Sequence, residues 1–292
     1  MNCRERKGLH MELELKRAGL NAYEVGGELT LTQEETTETI VPDYCPDIAR
    51  IIETEGTVFL HSRELRDGKA EVSGTIRVTV LYTPDGEGGI RTLEFAIPFT
   101  VESDSRAMAG CTHLTAETEA EFLETRMLNP RKVFTHCKLV THVTGYQYMP
   151  LNFCTDAETE SRLCVEKRCE ELQGILLTHI AEKHYTFSEE INLSPGREGA
   201  AELLAGRVSN TVTEAKIVGS KPVFKGIFNI SLLYRTADGR CCTAFSELPF
   251  SQIIEVEGAS EGTTASMQLQ LTGTDFQIDG ADDEGRQIAV TL

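Results

Sequence analysis

The sequence predicts a mainly β protein, a tandem repeat of two β-sandwich-like or open-barrel domains with one short helix in each. Three observations carry that expectation. The chain repeats itself at a spacing of 152 residues, its apolar residues alternate with period two, and helical periodicity is confined to one short stretch per copy. VTVLYTPDG at 78–86 returns as ISLLYRTADG at 230–239, so that Leu81-Tyr82 falls on Leu233-Tyr234. The same spacing carries Gly74 onto Gly226, Ile51-Ile52 onto Leu203-Leu204 and Glu14 onto Glu166. AIPFTVE at 96–102 meets ELPFSQIIEVE at 247–257 with the spacing one residue shorter, the kind of slip that turns tolerate.

In chain order, residues 1–10 (MNCRERKGLH) form a basic tail that lacks the apolar centre of a signal peptide. The first copy is expected over 11–155 and the second over 156–292. VPDYCPDIARII at 41–52 predicts the first helix. Pro46 suits the first helical position, Asp47 the first turn, and Ile48, Ile51 and Ile52 share a helical face. EGAAELL at 198–204 predicts the matching helix. Ile76, Val78, Val80 and Tyr82 alternate with Thr75, Arg77, Thr79 and Leu81, and Phe228, Ile230, Leu232 and Tyr234 do the same in the second copy. PDGEGG at 84–89 and ADG at 237–239 then read as hairpin turns. Pro98 and Pro249 each block a ladder bond, which predicts an edge strand or a strand start. RKVFTHCKLVTHV at 131–143 and MQLQLTGTDFQI at 267–278 are expected strands. NPRKVFTHCKLVTHVTGYQY in the first copy is answered only by EGRQIAVTL in the second, and the natural protein is expected to extend past Leu292.

Composition narrows the function. A net charge of −18 disfavours nucleic acid and anionic membrane, both of which need clustered Lys and Arg. Apolar runs are too short for a spanning helix. The nine cysteines are odd in number and scattered, as expected of free thiols in a reducing compartment. Cys164 and Cys169 have no second pair at ligand spacing, and Cys241-Cys242 would face opposite sides of a strand, so no metal is expected.

Asp43 and Asp47 are the one candidate acid pair, with helix capping as the competing explanation. At the repeat spacing they face Pro195 and Gly199, so the scaffold does not require them. His136 and His142 share a strand face but are too far apart to converge. His179 and His184 would fall on opposite faces of a strand. No nucleophile elbow is present. The acidic stretches QEETTET at 33–39 and AETEAEFLET at 116–125 read as solvated faces or as a docking surface for a basic partner. The residues therefore assign no catalytic, cofactor-binding or metal role, leave binding residues unknown, and point away from an enzyme.

VPDYCPDIARII, GKAEVSGTIRVTVLY, ELPFSQIIEVEG and LNPRKV together resemble the SPOCS domain repeats of SipL-type spore coat morphogenetic proteins, from about Met11 to Leu292. Pro42, Asp43, Pro46, Asp47, Gly74, Tyr82, Pro249 and Phe250 are its fold markers here. The resemblance implies a non-enzymatic assembly factor in the mother-cell cytoplasm, at the forespore surface or spore coat. Its implied partners are coat or forespore-surface proteins, with the basement-layer ATPase as a candidate, and it implies no cofactor. Such proteins typically end in a LysM domain tied to partner binding, and no such segment lies within these residues. Two competing readings are a carbohydrate-binding β module for peptidoglycan or coat glycan, weakened by the absence of Trp, and a hydrolase using Asp43 and Asp47.

Overall fold

The computed structural model describes residues 13–86, 88–103, 106–159, 166–168, 170–171, 173–256, 258–259, 262–279 and 285–292. The tail 1–10 with Cys3, and Cys164 and Cys169, lie outside these. The strands in chain order are β1 (Leu13–Ile40), β2 (Ile48–Arg66), β3 (Lys69–Pro84), β4 (Arg91–Glu102), β5 (Cys111–Asn129), β6 (Lys132–Thr159), β7 (Ser188–Asn192), β8 (Glu202–Val218), β9 (Lys221–Arg235), β10 (Cys241–Ile253), β11 (Asp275–Ile278) and β12 (Gln287–Thr291).

In the first half, sheets β2-β3-β4 and β1-β6-β5 pack together, with β5 running beside β2 and β1 beside β4. The result is a flattened open barrel. The second half repeats the plan: β8-β9-β10 stand for β2-β3-β4, and β7-β12-β11 for β1-β6-β5. The expected alternation supplies both cores. Ile76, Val78, Val80 and Tyr82 are buried on β3, as are Phe228, Ile230, Leu232 and Tyr234 on β9. Removing each such side chain from water contributes roughly 1.5–3 kcal/mol. The turns at 84–89 and 237–239 form hairpins as expected, with Gly86 at φ 74 and Gly239 at φ 87. Pro98 and Pro249 lie on β4 and β10, the terminal strands of their sheets.

The two expected helices are absent among the described residues, and strands stand in their place. Ile48–Ile52 opens β2, and Glu202–Leu204 opens β8. A β-bulge explains the misleading spacing. The β2–β3 register shifts between Ile48 and Arg50 and again between Ile51 and Glu53. Each extra residue stretches the two-residue repeat, so Ile48 and Ile51 both turn inward at a helix-like separation of three. The β8–β9 register shifts between Leu203 and Ala205, at the equivalent place. A second pair of bulges, Leu60/Ser62 and Val212/Glu214, also recurs at the repeat spacing.

Of the strand expected over 267–278, Asp275–Ile278 forms β11 and pairs with β12. In the first half, β5 pairs with β6 from Cys111 to Asn129. The stretch carrying His179 and His184 forms no ladder, and only an isolated bridge joins Leu177 to Tyr23.

Glycine and phenylalanine make a matched device in each half. Gly74 on β3 lies opposite Phe99 on β4, and a Cβ there would meet the Phe59 carbonyl oxygen and the Phe99 ring at 2.3 and 2.7 Å. Gly226 lies opposite Phe250, and its Cβ would meet the Phe250 ring and the Thr211 carbonyl oxygen, both at 2.4 Å. The ring covers the strand where the glycine leaves it bare.

Candidate functional site

The Val41–Ile48 loop joins β1 to β2, and its shape is set by main-chain bonds. Val41 N–H donates to the Arg131 carbonyl at 2.9 Å, Cys45 N–H to Pro42 at 2.9 Å, and Ile48 N–H to Pro130 at 2.9 Å. The Tyr82 hydroxyl donates to the Pro46 carbonyl at 3.2 Å. Within this frame one guanidinium holds both aspartates. Arg131 donates from Nη1 to the Cys45 carbonyl at 2.7 Å and Asp47 Oδ1 at 3.2 Å. From Nη2 it donates to the Val41 carbonyl at 2.8 Å and Asp43 Oδ1 at 3.2 Å. The planar fork lets one residue tie together four points of the loop. Burial pushes the Tyr82 phenol up to about 12, and the Cys45 thiol beside it acts in the same direction.

The second half keeps the frame with other side chains. Leu193 N–H donates to Arg286, Arg197 N–H to Ser194 and Ala200 N–H to Gly285, while the Tyr234 hydroxyl donates to the Glu198 carbonyl at 3.2 Å. These bonds match those of Val41, Cys45, Ile48 and Tyr82 in turn. Arg286 occupies the main-chain place of Arg131, and the Glu198 carboxylate is met by Arg240.

Sequence reasoning found Asp43 and Asp47 but assigned no role to Arg131. The available signal was its position in NPRKV, echoed by EGRQI. Chemically, the pair is poorly placed for acid–base work. Asp43 is fully exposed, Asp47 half exposed, and the large cleft between the halves is lined by neither. Each carboxylate is instead engaged by the Arg131 guanidinium at 3.2 Å.

The acidic stretches lie on β1 and β5, the two strands that flank β6. Their outward carboxylates meet a row of bases on β6 between them: Lys132 with Glu38, His136 with Glu34 at 3.4 Å, and Lys138 with Glu121. These are cross-strand pairs on an exposed face. His142 bonds to the Thr30 hydroxyl at 3.1 Å, and His184 lies 3.2 Å from Glu182 at the surface. Among the described residues no three His, Cys, Asp or Glu side chains converge as metal ligands. The described cysteines Cys45, Cys111, Cys137, Cys154, Cys241 and Cys242 are free thiols, with Cys241 exposed and Cys242 half-buried on successive positions of β10. Among the described residues no helix is long and apolar enough to cross a membrane.

The family model described as SipL, SPOCS domain matches residues 47–128 and 200–279, one stretch in each half and together more than half of the chain. The chain belongs to the SipL SPOCS-domain family. No curated protein and no solved structure gave a match. Each SPOCS match begins at the loop end of the first strand after the Arg-held turn and takes in the whole β2-β3-β4 or β8-β9-β10 sheet. The Gly–Phe pairs and both sets of bulges therefore fall inside the SPOCS units. Arg131 and β6 fall outside the first match, although Arg131 closes the loop from which that match starts. SPOCS membership makes this a sporulation-related protein, from a family not known for enzymatic activity.

Proposed function

We propose that this protein is a non-enzymatic scaffold of spore coat assembly, working in the mother-cell cytoplasm and linking coat layers to the forespore surface. The observation that carries the reading is the pair of SPOCS units, whose shared polar geometry is spent on holding loops and sheets. Arg131 binds both candidate acids as a loop clamp, an arrangement that supports a structural role for the pair over the hydrolase reading. Partners are coat or forespore-surface proteins, the basement-layer ATPase among the candidates. A glycan module would offer a row of aromatic rings, but the most exposed aromatics, Tyr44, Phe153 and Phe245, sit on a loop, β6 and β10 respectively. The test is a fluorescent fusion of the protein followed through sporulation. Fluorescence should gather around the forespore, and diffuse mother-cell fluorescence at every stage would end the proposal.

A further inference from the structure

The Arg131 clamp accounts for the frame of the β1–β2 loop but not for what its apex carries. Tyr44 is 88% exposed, the most exposed aromatic among the described residues, and its hydroxyl bonds to none of them. Asp43 beside it is fully exposed. Two large apolar side chains stand at the foot of the loop. Ile40 ends β1 opposite Lys132, and Leu128 adjoins Asn129, which lies opposite Lys132 on the other side. They are 72% and 52% exposed.

The second half shows that the frame does not need these side chains. Its donors Leu193, Arg197 and Ala200 repeat Val41, Cys45 and Ile48 at the repeat spacing, bond for bond. At that same spacing Ile40, Asp43, Tyr44 and Asp47 are answered by Asn192, Pro195, Gly196 and Gly199. A tip without ring or carboxylate therefore closes the same loop. The apolar and acidic groups of the first half are additions to a scaffold that holds its shape without them.

Their setting suits recognition. An anchor on a loose loop loses conformational freedom when it docks, whereas here the bonds from Arg131 and the Tyr82 bond to the Pro46 carbonyl have already fixed the main chain. Tyrosine adds a large ring and a polar end with only two torsions to order. The charge around it indicates the partner. Asp43 and Asp47 are joined by exposed Asp85, whose N–H donates to the Asp47 carbonyl at 2.8 Å. Arg131 is shared between the first two, and the neighbouring Lys132 is engaged by Glu38.

We propose that Tyr44 and Asp43 anchor a docking site for a partner protein, the ring entering an apolar socket and the carboxylate meeting a Lys or Arg at its rim. Ile40 and Leu128 extend the apolar contact. The inference rests on the coat-assembly reading for its setting, and gives the surface through which the first SPOCS unit would engage a coat or forespore-surface protein. Three carboxylates at the loop make anionic lipid or nucleic acid the wrong chemistry.

The test follows the fluorescent fusion through sporulation in variants whose urea unfolding matches the wild type. Tyr44→Gly installs the residue that the second half uses at this place, and Tyr44→Ala is its second form. Asp43→Asn removes the charge, and Phe245→Ala removes an exposed ring elsewhere as a control. Fluorescence around the forespore should fall roughly tenfold for both Tyr44 variants, as loss of a central aromatic anchor implies. It should fall less for Asp43→Asn and stay unchanged for Phe245→Ala. Tyr44 variants that gather like the wild type would overturn the inference and leave the coat-assembly reading standing, whereas a diffuse wild type would end both. The partner's chemistry is read with the photo-cross-linker p-benzoylphenylalanine at position 44. The cross-linked peptide should be apolar and carry Lys or Arg. An acidic peptide, a lipid adduct, a peptide of this same protein or no adduct would overturn the proposal. In the purified protein, tetranitromethane should nitrate Tyr44 as readily as free tyrosine, and protection would overturn the proposal because the chain itself would cover the site.

Discussion

Arg131 explains why a loop with two aspartates is not a reactive site. Its guanidinium joins two carbonyls and two carboxylates that would otherwise leave the β1–β2 connection loosely held. Replacing it with alanine should destabilise the protein by about 1.5–3 kcal/mol, the range for hydrogen bonds to a charged group. Arg131→Lys should recover little, because an ammonium cannot span the four acceptors. Asp43→Asn and Asp47→Asn should each cost under about 1 kcal/mol, as exposed ion pairs do. Urea unfolding of the four variants checks the order. Alkaline stability also belongs to single residues. Tyr82 is held protonated up to about 12 from an ordinary 10.0, and burial pushes the Cys137 thiol up to about 11 from 9.0. Below pH 9 both groups are protonated folded or unfolded, and their contribution is whole. As pH rises through 9 to 12, the unfolded chain releases these protons first, so stability falls. Denaturation midpoints should decline over that window, and Tyr82→Phe should remove the portion above pH 10. The sequence showed the aspartates because acids near proline draw attention. It did not show their partner, which is 84 residues beyond Asp47 and is brought there only by pairing of β1 with β6.

At the scale of elements, the period-two pattern was legible wherever a strand has neighbours on both sides. The β3 and β9 cores, both hairpins and both edge prolines follow from local chemistry alone. The helices failed for a local reason as well: a bulge gives inward residues a three-residue separation, and short apolar runs cannot distinguish that from a helical turn. The repeat could have corrected this, since Ile51-Ile52 and Leu203-Leu204 both consist of residues that strands accept, and Ile is β-branched. The 267–274 stretch failed for the opposite reason. Its alternation is real, with Met267, Leu269 and Leu271 packed against the second core, but alternation reports a buried face and not a ladder. The Gly–Phe device gives a prediction at this scale. Gly74→Ala and Gly226→Ala each drive a methyl group against a carbonyl oxygen and a packed ring, and overpacking of that kind costs typically 1–3 kcal/mol. If the ring is the obstacle, Phe99→Leu should lessen the cost of Gly74→Ala, so that the double variant is more stable than the sum of the single losses implies. A thermal-unfolding cycle that came out additive would show that the Phe59 carbonyl alone sets the penalty.

Across the whole molecule, the question is what couples the two SPOCS units. Among the contacts that join them, two kinds contrast. Arg207 of β8 reaches Glu55 and Glu53 of β2 in the open, and Arg63 meets Glu182 and Gln270. Arg77 is different in kind. It projects from β3 across the buried Phe59 ring, 4.9 Å from the ring centroid, and donates from Nη1 to the Thr274 carbonyl at 2.6 Å and its hydroxyl at 3.0 Å. Thr274 immediately precedes β11, so this bond ties the core sheet of one unit to the start of the other unit's short sheet. The two kinds should respond differently to salt. Exposed ion pairs are screened within about 3 Å at 1 M ionic strength, whereas a bond from a half-buried guanidinium to a carbonyl is screened much less. Calorimetry should therefore show one cooperative transition in 1 M sodium chloride as in dilute buffer. Arg77→Ala should split that transition or broaden it toward two, with the second half unfolding first because its sheet is held by the shorter ladders. Arg207→Ala should leave it single. A single transition of undiminished sharpness in Arg77→Ala would mean that the coupling runs instead through the packing of Gln268 and Gln270 on β5.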